Sequence, residues 1–326
     1  MTTSYLWREF VAVFPAVLIL ELGRYVLAAG LVSALIWAFW RTGLNARKIQ
    51  ARSAGWANYY REVLASLRTV FIFAATGFSM YLAVKAGWLT IYQDFGVRGP
   101  VYFAFSLVAM VVAHDAYFYW SHRAMHHPRF FRWIHRTHHK SYTPTPWTAY
   151  AFDAPEAIVM AAFVPLWVAL IPMHDLAVYI FMTWQIVRNV LGHAGVELSP
   201  VSGNPSRLFG WLNTTTHHDL HHQNVRFNYG LYFSWWDRWM GTEHPEYHAR
   251  VAEIATRSRC GKKLAPDTRK LVAALVFVLW LGAAIARNAN AEGNNVAGNW
   301  TTMGLGSIVQ ISRLRRSAAD YVRAIV

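Results

Sequence analysis

The chain has 326 residues, of which 55% are hydrophobic and only 15% are charged. Soluble proteins have about 45–50% apolar and about 25% charged residues, so this composition excludes a simple water-soluble globule, and it also excludes a disordered chain. The single cysteine, Cys260, excludes a disulfide framework and an iron–sulfur cluster ligated by this chain alone.

The formal net charge is +14, from 31 basic and 17 acidic residues. In a soluble protein this excess would favour a nucleic-acid partner. In an apolar chain with 16 Trp and 16 Tyr residues, it is more typical of cytoplasmic loops on an anionic membrane surface. We therefore expect an integral membrane protein and no nucleic-acid partner.

Apolar runs that approach the roughly 20 residues of a membrane span recur along the chain. The first, 10–40, holds one or two segments, and it is followed by 70–92 and 101–120. Two shorter runs, 157–171 and 176–191, are separated by a turn at 172–175 and predict a helical hairpin. A last run covers 271–286, followed by a linker and a short basic amphipathic stretch.

Basic residues concentrate in two of the connecting segments. The segment 41–68 contains six basic residues opposed only by Glu62, and the segment 123–140 contains five with no acidic residue. The positive-inside rule places both segments in the cytoplasm. Since the hairpin returns the chain to the same side, residues 193–265 are expected there too.

Histidine is the residue type whose placement is most informative. Eight of the fifteen histidines fall into three clusters at helical spacing: His122 and His126; His135, His138 and His139; and His218, His221 and His222. Residues three and four apart share a helix face, so each cluster is expected to aim its imidazoles at one point. Asp219 lies between two of these histidines in the sequence, but its position in the helical repeat turns it away from their shared face. The isolated His174, His244 and His248 are expected to be ordinary structural or surface residues.

A purely structural role does not explain the three clusters, because crowded imidazoles that can take up protons are unfavourable without a metal. Eight imidazoles exceed the coordination sphere of one ion, which predicts two metal ions. Imidazole suits iron, zinc, copper and nickel, so the ligand type leaves the metal open.

The same residues resemble a known family. The run 114–126, His-Asp-Ala-Tyr-Phe-Tyr-Trp-Ser-His-Arg-Ala-Met-His, is similar to the first histidine box of the fatty acid hydroxylase/sterol desaturase superfamily. His-Arg-Thr-His-His at 135–139 resembles its second box, and His-Asp-Leu-His-His at 218–222 its third. Asn-Tyr-Gly at 228–230 and the stretch 236–242 resemble its closing segment, so the resemblance covers about residues 100–245.

The resemblance implies an all-α fold: a polytopic membrane bundle of four or more helices with a cytoplasmic, histidine-rich helical cap. It implies a di-iron enzyme that uses O₂ and two electrons to hydroxylate or desaturate a sterol, fatty acyl, sphingoid or carotenoid lipid. The two iron ions would be held by the eight clustered histidines and by His193, which ends the hairpin. Beyond these ligands, catalytic residues cannot be assigned from the sequence.

Six further residues are expected to support the ligands without binding metal. The resemblance suggests that the amide of Asn189 reaches iron through a water. His114 lies about 12 Å deeper than His122 along one helix and is expected to form a buried polar pair with Asp115 or to contact a ligand. The remaining three are His127, His217 and Asp219.

The expected organisation is an N-terminal membrane part over 1–95, a catalytic domain over 96–250 and an apolar helix with a basic tail over 251–326. No haem, cysteine-cluster or nucleotide motif is present in the sequence, so electrons are expected from a separate ferredoxin, cytochrome b5-like protein or reductase. The basic cytoplasmic surface would suit an acidic donor.

Two other functions use the same histidines. A membrane zinc hydrolase would need a general-base carboxylate beside the metal, for which Asp115, Asp153, Glu156 and Asp219 are candidates. A metal transporter is the least favoured, because its ligands should lie at mid-bilayer.

Overall fold

The computed structural model describes residues 2–199 and 210–260, which are almost entirely helical. The predicted apolar run 271–286 and the basic tail lie outside the described residues. The helices are α1 (Thr3–Phe39), α2 (Trp56–Lys85), α3 (Gly99–Met125), α4 (Pro128–Ile134), α5 (Arg136–His139), α6 (Ala154–Leu170), α7 (Asp175–Gly192), α8 (Thr215–Gln223), α9 (Trp235–Trp239) and α10 (Tyr247–Cys260). The all-α prediction is confirmed.

Three of these helices, α1, α2 and α3, are long and apolar enough to cross a membrane, and α6 is a shorter apolar helix. The first apolar run forms one unbroken helix, although it contains Pro15. Helix-breaking residues are tolerated in membrane helices because neighbouring groups compensate the lost backbone hydrogen bond. Within the described residues, the long spans therefore number three and not four or more.

The helical hairpin predicted between 157 and 191 is present as α6 and α7. The turn between them also contains a feature that the sequence did not indicate. Met173–His174 (β2) pairs in parallel with Ile91–Tyr92 (β1), the segment between α2 and α3. The His174 imidazole caps α7 by accepting a hydrogen bond from the Leu176 N–H at 3.1 Å.

Two apolar clusters hold the bundle together. The first joins α1, α2, α6 and α7 and includes Tyr25, Val70 and Ile186. The second joins α2, α3, α6 and α7 around Met110 and Phe181. Exposed tryptophans stand near both ends of the first two helices: Trp7 and Trp37 on α1, and Trp56 and Trp88 at the ends of α2.

Both basic segments lie at the same end of the bundle. The segment after α1 is bonded to the chain after α7, since the Ile49 N–H donates to Gly195 O at 3.1 Å. The start of α2 reaches the chain after α5, because the Thr145 hydroxyl donates to Glu62 at 2.6 Å. All three histidine clusters lie at this end, as the charge pattern predicted, whereas the side of the membrane that this end faces remains a prediction.

Candidate metal centre

The structure gathers nine histidines into two groups whose nitrogens lie within 4.8 Å of one another in each group. Group A consists of His122, His126, His135, His139 and His221, and group B of His138, His193, His218 and His222. Together they are the nine histidines expected as ligands. Neither group contains a cysteine or a carboxylate among the described residues.

Each His-x-x-His-His triplet divides between the two groups, which corrects the expectation that each cluster aims at one point. His135 and His139 belong to group A while His138 belongs to group B. At about 100° per residue, positions i and i+4 are 40° apart, but i+3 lies about 100° from i+4. The third cluster divides by the same rule: His218 and His222 enter group B, and His221 enters group A. The triplets therefore link the two groups.

Local helix signals position these side chains. Helix α3 carries His122 in its last turn and is capped by His126, and α4 begins at Pro128 with the exposed His127 accepting from the Arg129 N–H. Helix α8 begins at the Thr214 cap, whose hydroxyl accepts from the His217 N–H at 3.2 Å. His193 follows the last turn of α7 and lies beside Gly192, where the nearest atoms to an added Cβ belong to His218.

Three imidazoles are oriented by main-chain carbonyls. Nδ1 of His122 lies 2.8 Å from Tyr229 O, that of His193 lies 2.7 Å from Asn189 O, and that of His221 lies 2.6 Å from Phe227 O. A carbonyl can only accept, so in each case Nδ1 carries the hydrogen. Nε2 of the neutral ring therefore presents a lone pair to its group.

The Nε2 atoms of these rings lie close to ring nitrogens of other histidines. Nε2 of His193 lies 2.9 Å from Nε2 of His218 and 3.2 Å from Nε2 of His138. In group A, Nε2 of His122 lies 3.0 Å from that of His135. Two ligand nitrogens at right angles around one ion, with bonds of about 2.0–2.1 Å, would be about 3.0 Å apart. The donor set and its spacing fit a metal ion in each group.

Electrostatics favour the neutral, metal-binding form of the rings. Burial, reinforced by neighbouring imidazoles, holds the pKa of each of His138, His218 and His222 well below its usual value. The same causes lower the pKa of His135 and His139 in group A. A cation between the rings would be attracted to these lone pairs, whereas protons are disfavoured.

The carboxylates that could serve as a general base are all bound elsewhere. Asp115 accepts from the N–H groups of Tyr232 and Phe233 and from the Trp235 indole. Asp153 accepts from the Thr137 N–H and hydroxyl, and Asp219 accepts from Gln50 and Gln223. Glu156 lies behind a ligand ring, with Oε1 2.7 Å from Nδ1 of His135.

The remaining residues expected to support the ligands have diverse surroundings. His114 packs among aromatic rings, including those of Phe163 and Phe181, and makes no ion pair with Asp115 within the described part of the chain. The Asn189 amide donates to Ala149 O at 2.7 Å, so its contact with His193 runs through its main-chain carbonyl. His217 lies 3.3 Å from Asp237.

The closing Asn-Tyr-Gly segment contributes a support that sequence reasoning missed. Asp237 accepts from the N–H groups of Tyr229 and Gly230, each at 2.8 Å, and thereby fixes the carbonyl that orients His122. Asn228 has a left-handed φ of 59°, which Asn tolerates better than most residues. A Cβ at position 230 would lie 2.7 Å from Phe233 O, so glycine is required there.

Comparison with known proteins places this arrangement in a class. The profile of the Fatty acid hydroxylase family matches residues 107–242, which include every histidine of groups A and B. Residues 107–242 thus match this family, and the sterol desaturase names of the relatives below support placing the chain in the fatty acid hydroxylase/sterol desaturase superfamily.

Three relatives illustrate the similarity. Delta(7)-sterol 5(6)-desaturase ERG3B of Gibberella zeae is 31% identical over 183 residues, which are 56% of this chain and 55% of the relative. Lathosterol oxidase of Mus musculus is 27% identical over 191 residues, 57% of this chain and 61% of the relative. Methylsterol monooxygenase 1 of Rattus norvegicus is 28% identical over 152 residues, which are 47% of this chain and 50% of the relative.

Each of these matches covers less than two thirds of the relative's length. No solved structure matches the chain.

Proposed function

We propose that this protein is a membrane-bound di-iron oxidoreductase that uses O₂ to desaturate or hydroxylate a sterol. The observation that carries the proposal is the pair of all-histidine groups with facing nitrogens 2.9–3.3 Å apart. The names of the three relatives favour a sterol over the other lipids considered.

The proposed ligands are the five histidines of group A for one iron and the four of group B for the other. Bound iron would supply the activation of O₂ that is needed to remove hydrogen from an unactivated C–H bond. The chain's own contribution is to hold the imidazoles neutral and oriented, through the carbonyls of Tyr229, Asn189 and Phe227.

Aromatic side chains surround the two groups and would limit the access of water. The rings of Phe118 and Phe131 lie 5.0 and 5.3 Å from those of His122 and His126. On the side of group B, the Phe152 ring lies 5.3 Å from that of His138. A dry surrounding strengthens the electrostatic interactions at the site and protects reactive species from side reactions.

The zinc-hydrolase alternative is less well supported by this geometry. All four candidate carboxylates are hydrogen-bonded elsewhere or lie behind a ligand ring, and none of them is among the side chains that enclose the space between the Nε2 atoms. A general base would have to act from that space.

A separate electron donor is also part of the proposal. Exposed basic residues surround the histidine end of the bundle: Arg52, Arg129, Arg132, Arg136, Lys140 and Arg226. An acidic ferredoxin or cytochrome b5-like protein would be attracted to this surface, and we expect its association to weaken as salt is raised.

The proposal is tested on protein purified after iron-replete expression. We expect about two iron ions per chain, and O₂ consumption that depends on a reductant, a donor protein and added sterol. Sterol products are identified by mass spectrometry. Ester hydrolysis by the zinc-loaded protein, without sterol-dependent O₂ uptake by the iron-loaded protein, would establish the hydrolase instead.

The orientation is tested separately by cysteine labelling in a Cys260→Ser background. Cysteines at Arg52 and Lys140, both exposed at the histidine end, should react with a membrane-impermeant reagent only after the cells are permeabilised. A cysteine at Gln93, which is exposed beside β1 at the opposite end, should react without permeabilisation. The reverse pattern would place the histidines outside the cytoplasm.

A further inference from the structure

A cavity of about 110 Å³ lies inside the bundle, between α1, α2, α3, α6 and α7. A single water needs roughly 10–15 Å³ of such space, so the cavity is large enough for part of an organic molecule. Most of its lining is apolar, including Val17, Phe73, Met80, Val164 and Phe181. The cavity is distinct from groups A and B, none of whose histidines lines it.

Two charged residues of α1 line this cavity and are incompletely satisfied. Arg24 Nη1 and Glu21 Oε1 form an ion pair at 2.8 Å, and Glu21 is only 7% exposed. The other carboxylate oxygen, Oε2, is buried without a hydrogen-bond partner in the described part of the chain, and so is Nε of Arg24. Such buried, unsatisfied atoms are costly, and they therefore point to a missing polar group.

The chemistry of Glu21 Oε2 and Arg24 Nε determines which polar group of a ligand could satisfy both atoms. Oε2 of Glu21 can only accept, and Nε of Arg24 can only donate, whereas a hydroxyl does both. A carboxylate would be repelled by Glu21 and by Asp175, which also lines the cavity. An ammonium group would leave Nε of Arg24 unsatisfied. The pair is neutral as a whole, which suits a neutral ligand.

The position of the pair relates the cavity to the metal centre. Nη2 of Arg24 lies 3.4 Å from the Tyr150 hydroxyl. Two residues further along the chain, the Phe152 ring contacts His138 of group B. The pair therefore lies at the end of the cavity that approaches group B, while Met80 and Asp175 lie towards the opposite end of the bundle.

We infer that Glu21 and Arg24 bind the hydroxyl group of a neutral monohydroxy lipid, part of whose apolar body occupies the cavity. The inference rests on the proposed function and deepens it: the cavity would hold the lipid with its hydroxyl end towards group B.

Binding is measured without turnover, on the full chain in phospholipid nanodiscs. Cholesterol and its 3-O-methyl ether, which has the same rings and tail but cannot donate, compete against a photoreactive cholesterol. We expect cholesterol to compete about 10–100-fold better, the range for a hydrogen bond to a charged group. The double variant Glu21→Leu/Arg24→Met removes the pair without leaving a buried unpaired charge, and it should bind the two sterols equally.

Gln185→Leu is the matched control, because it places leucine at another polar position of the same cavity and should keep the preference. In the wild-type chain, the photoreactive group should label peptides that contain residues 17–24 or 160–164, and Ala161→Trp, which fills the cavity, should abolish that labelling. Equal competition in the wild type, a preference that survives in the double variant, or labelling confined to the outer surface of the bundle would overturn the inference.

This design separates the two proposals. A chain that discriminates the two sterols through Glu21 and Arg24 but oxidises neither would keep the cavity assignment and refute the proposed function. A chain that oxidises sterols but binds cholesterol and its ether equally would support the proposed function and refute the cavity assignment.

Discussion

Groups A and B are built from the same three histidine motifs but have different surroundings. Group A has five imidazoles, of which His126 and His139 are half-buried at the end of the bundle. Group B has four, all buried, and it lies against the apolar cluster that joins α1, α2, α6 and α7. Group A is therefore the more accessible to solvent, while group B is nearer to the interior of the bundle and to the cavity lined by Glu21 and Arg24.

The largest expected effect is the loss of one group at a time. His221→Ala removes a ligand from group A, and His138→Ala removes one from group B. Each variant should lose sterol oxidation entirely, because the proposed chemistry needs both metals. The iron content should fall from about two ions per chain to about one, since the untouched group keeps its ligands.

His244→Ala is the control for both variants. His244 belongs to neither group and should affect neither iron content nor turnover. If His221→Ala retained both ions and its activity, group A would not be a metal site.

A smaller effect is expected from Asp237→Asn, which should act on group A alone. The substitution weakens the support of the Tyr229 carbonyl that orients His122. Loss of such a support costs on the order of 10–100-fold in metal affinity. Chelator competition should show one ion bound more weakly and the other unchanged, and equal weakening of both would show that Asp237 does not act through His122.

Lowering the pH should also distinguish the two groups by the order in which they release their ions. Burial and neighbouring imidazoles lower the pKa of the ligand imidazoles in both groups, so the expected order rests on access: water and protons reach the half-buried His126 and His139 of group A more readily than the fully buried rings of group B. As pH falls below the usual histidine value of about 6.5, the ion of group A should be released before that of group B. The metal-free chain should lose stability over the same range, because the unfolded chain binds more protons than the folded one.

Iron release and thermal unfolding, measured between pH 7.5 and 5, test this order. Release of both ions in a single step would contradict the difference in accessibility.

The smallest effect is expected from Asn189→Ala. Its amide satisfies Ala149 O, so the variant should lose about 1–3 kcal/mol of stability. The backbone carbonyl that orients His193 is unchanged by the substitution, so group B should keep its metal. A loss of 10–100-fold in iron affinity would instead support contact with the metal through a water.

The sequence predicted the helical architecture and the eight clustered histidines because both follow from local periodicity, whereas His193 was expected only from the family resemblance. The division of each triplet follows from helical phase, but which group each helix face meets was not predicted, since that depends on how α5 and α8 face each other across the site. The roles of the Tyr229 carbonyl and of the Asp237 carboxylate were also not predicted. A backbone oxygen gives no signal in the residue types, and Asp237 acts on His122 only through that backbone. The pairing of β1 with β2 involves only two residues of each segment, too few to produce an alternating pattern.

The distance between the two exposed tryptophans of α1 can be compared with the thickness of a membrane. Trp7 and Trp37 are 65% and 82% exposed and stand 30 residues apart on one continuous helix, a separation of about 45 Å. A bilayer including its headgroups measures about 40–45 Å, so the two indoles match its two interfaces. Exposed Trp120 lies only two residues before His122 on α3. The iron ligands would then lie at headgroup depth. Glu21 and Arg24 lie about midway between the two tryptophans, so a sterol held by this pair would have its hydroxyl drawn from headgroup depth into the bilayer interior.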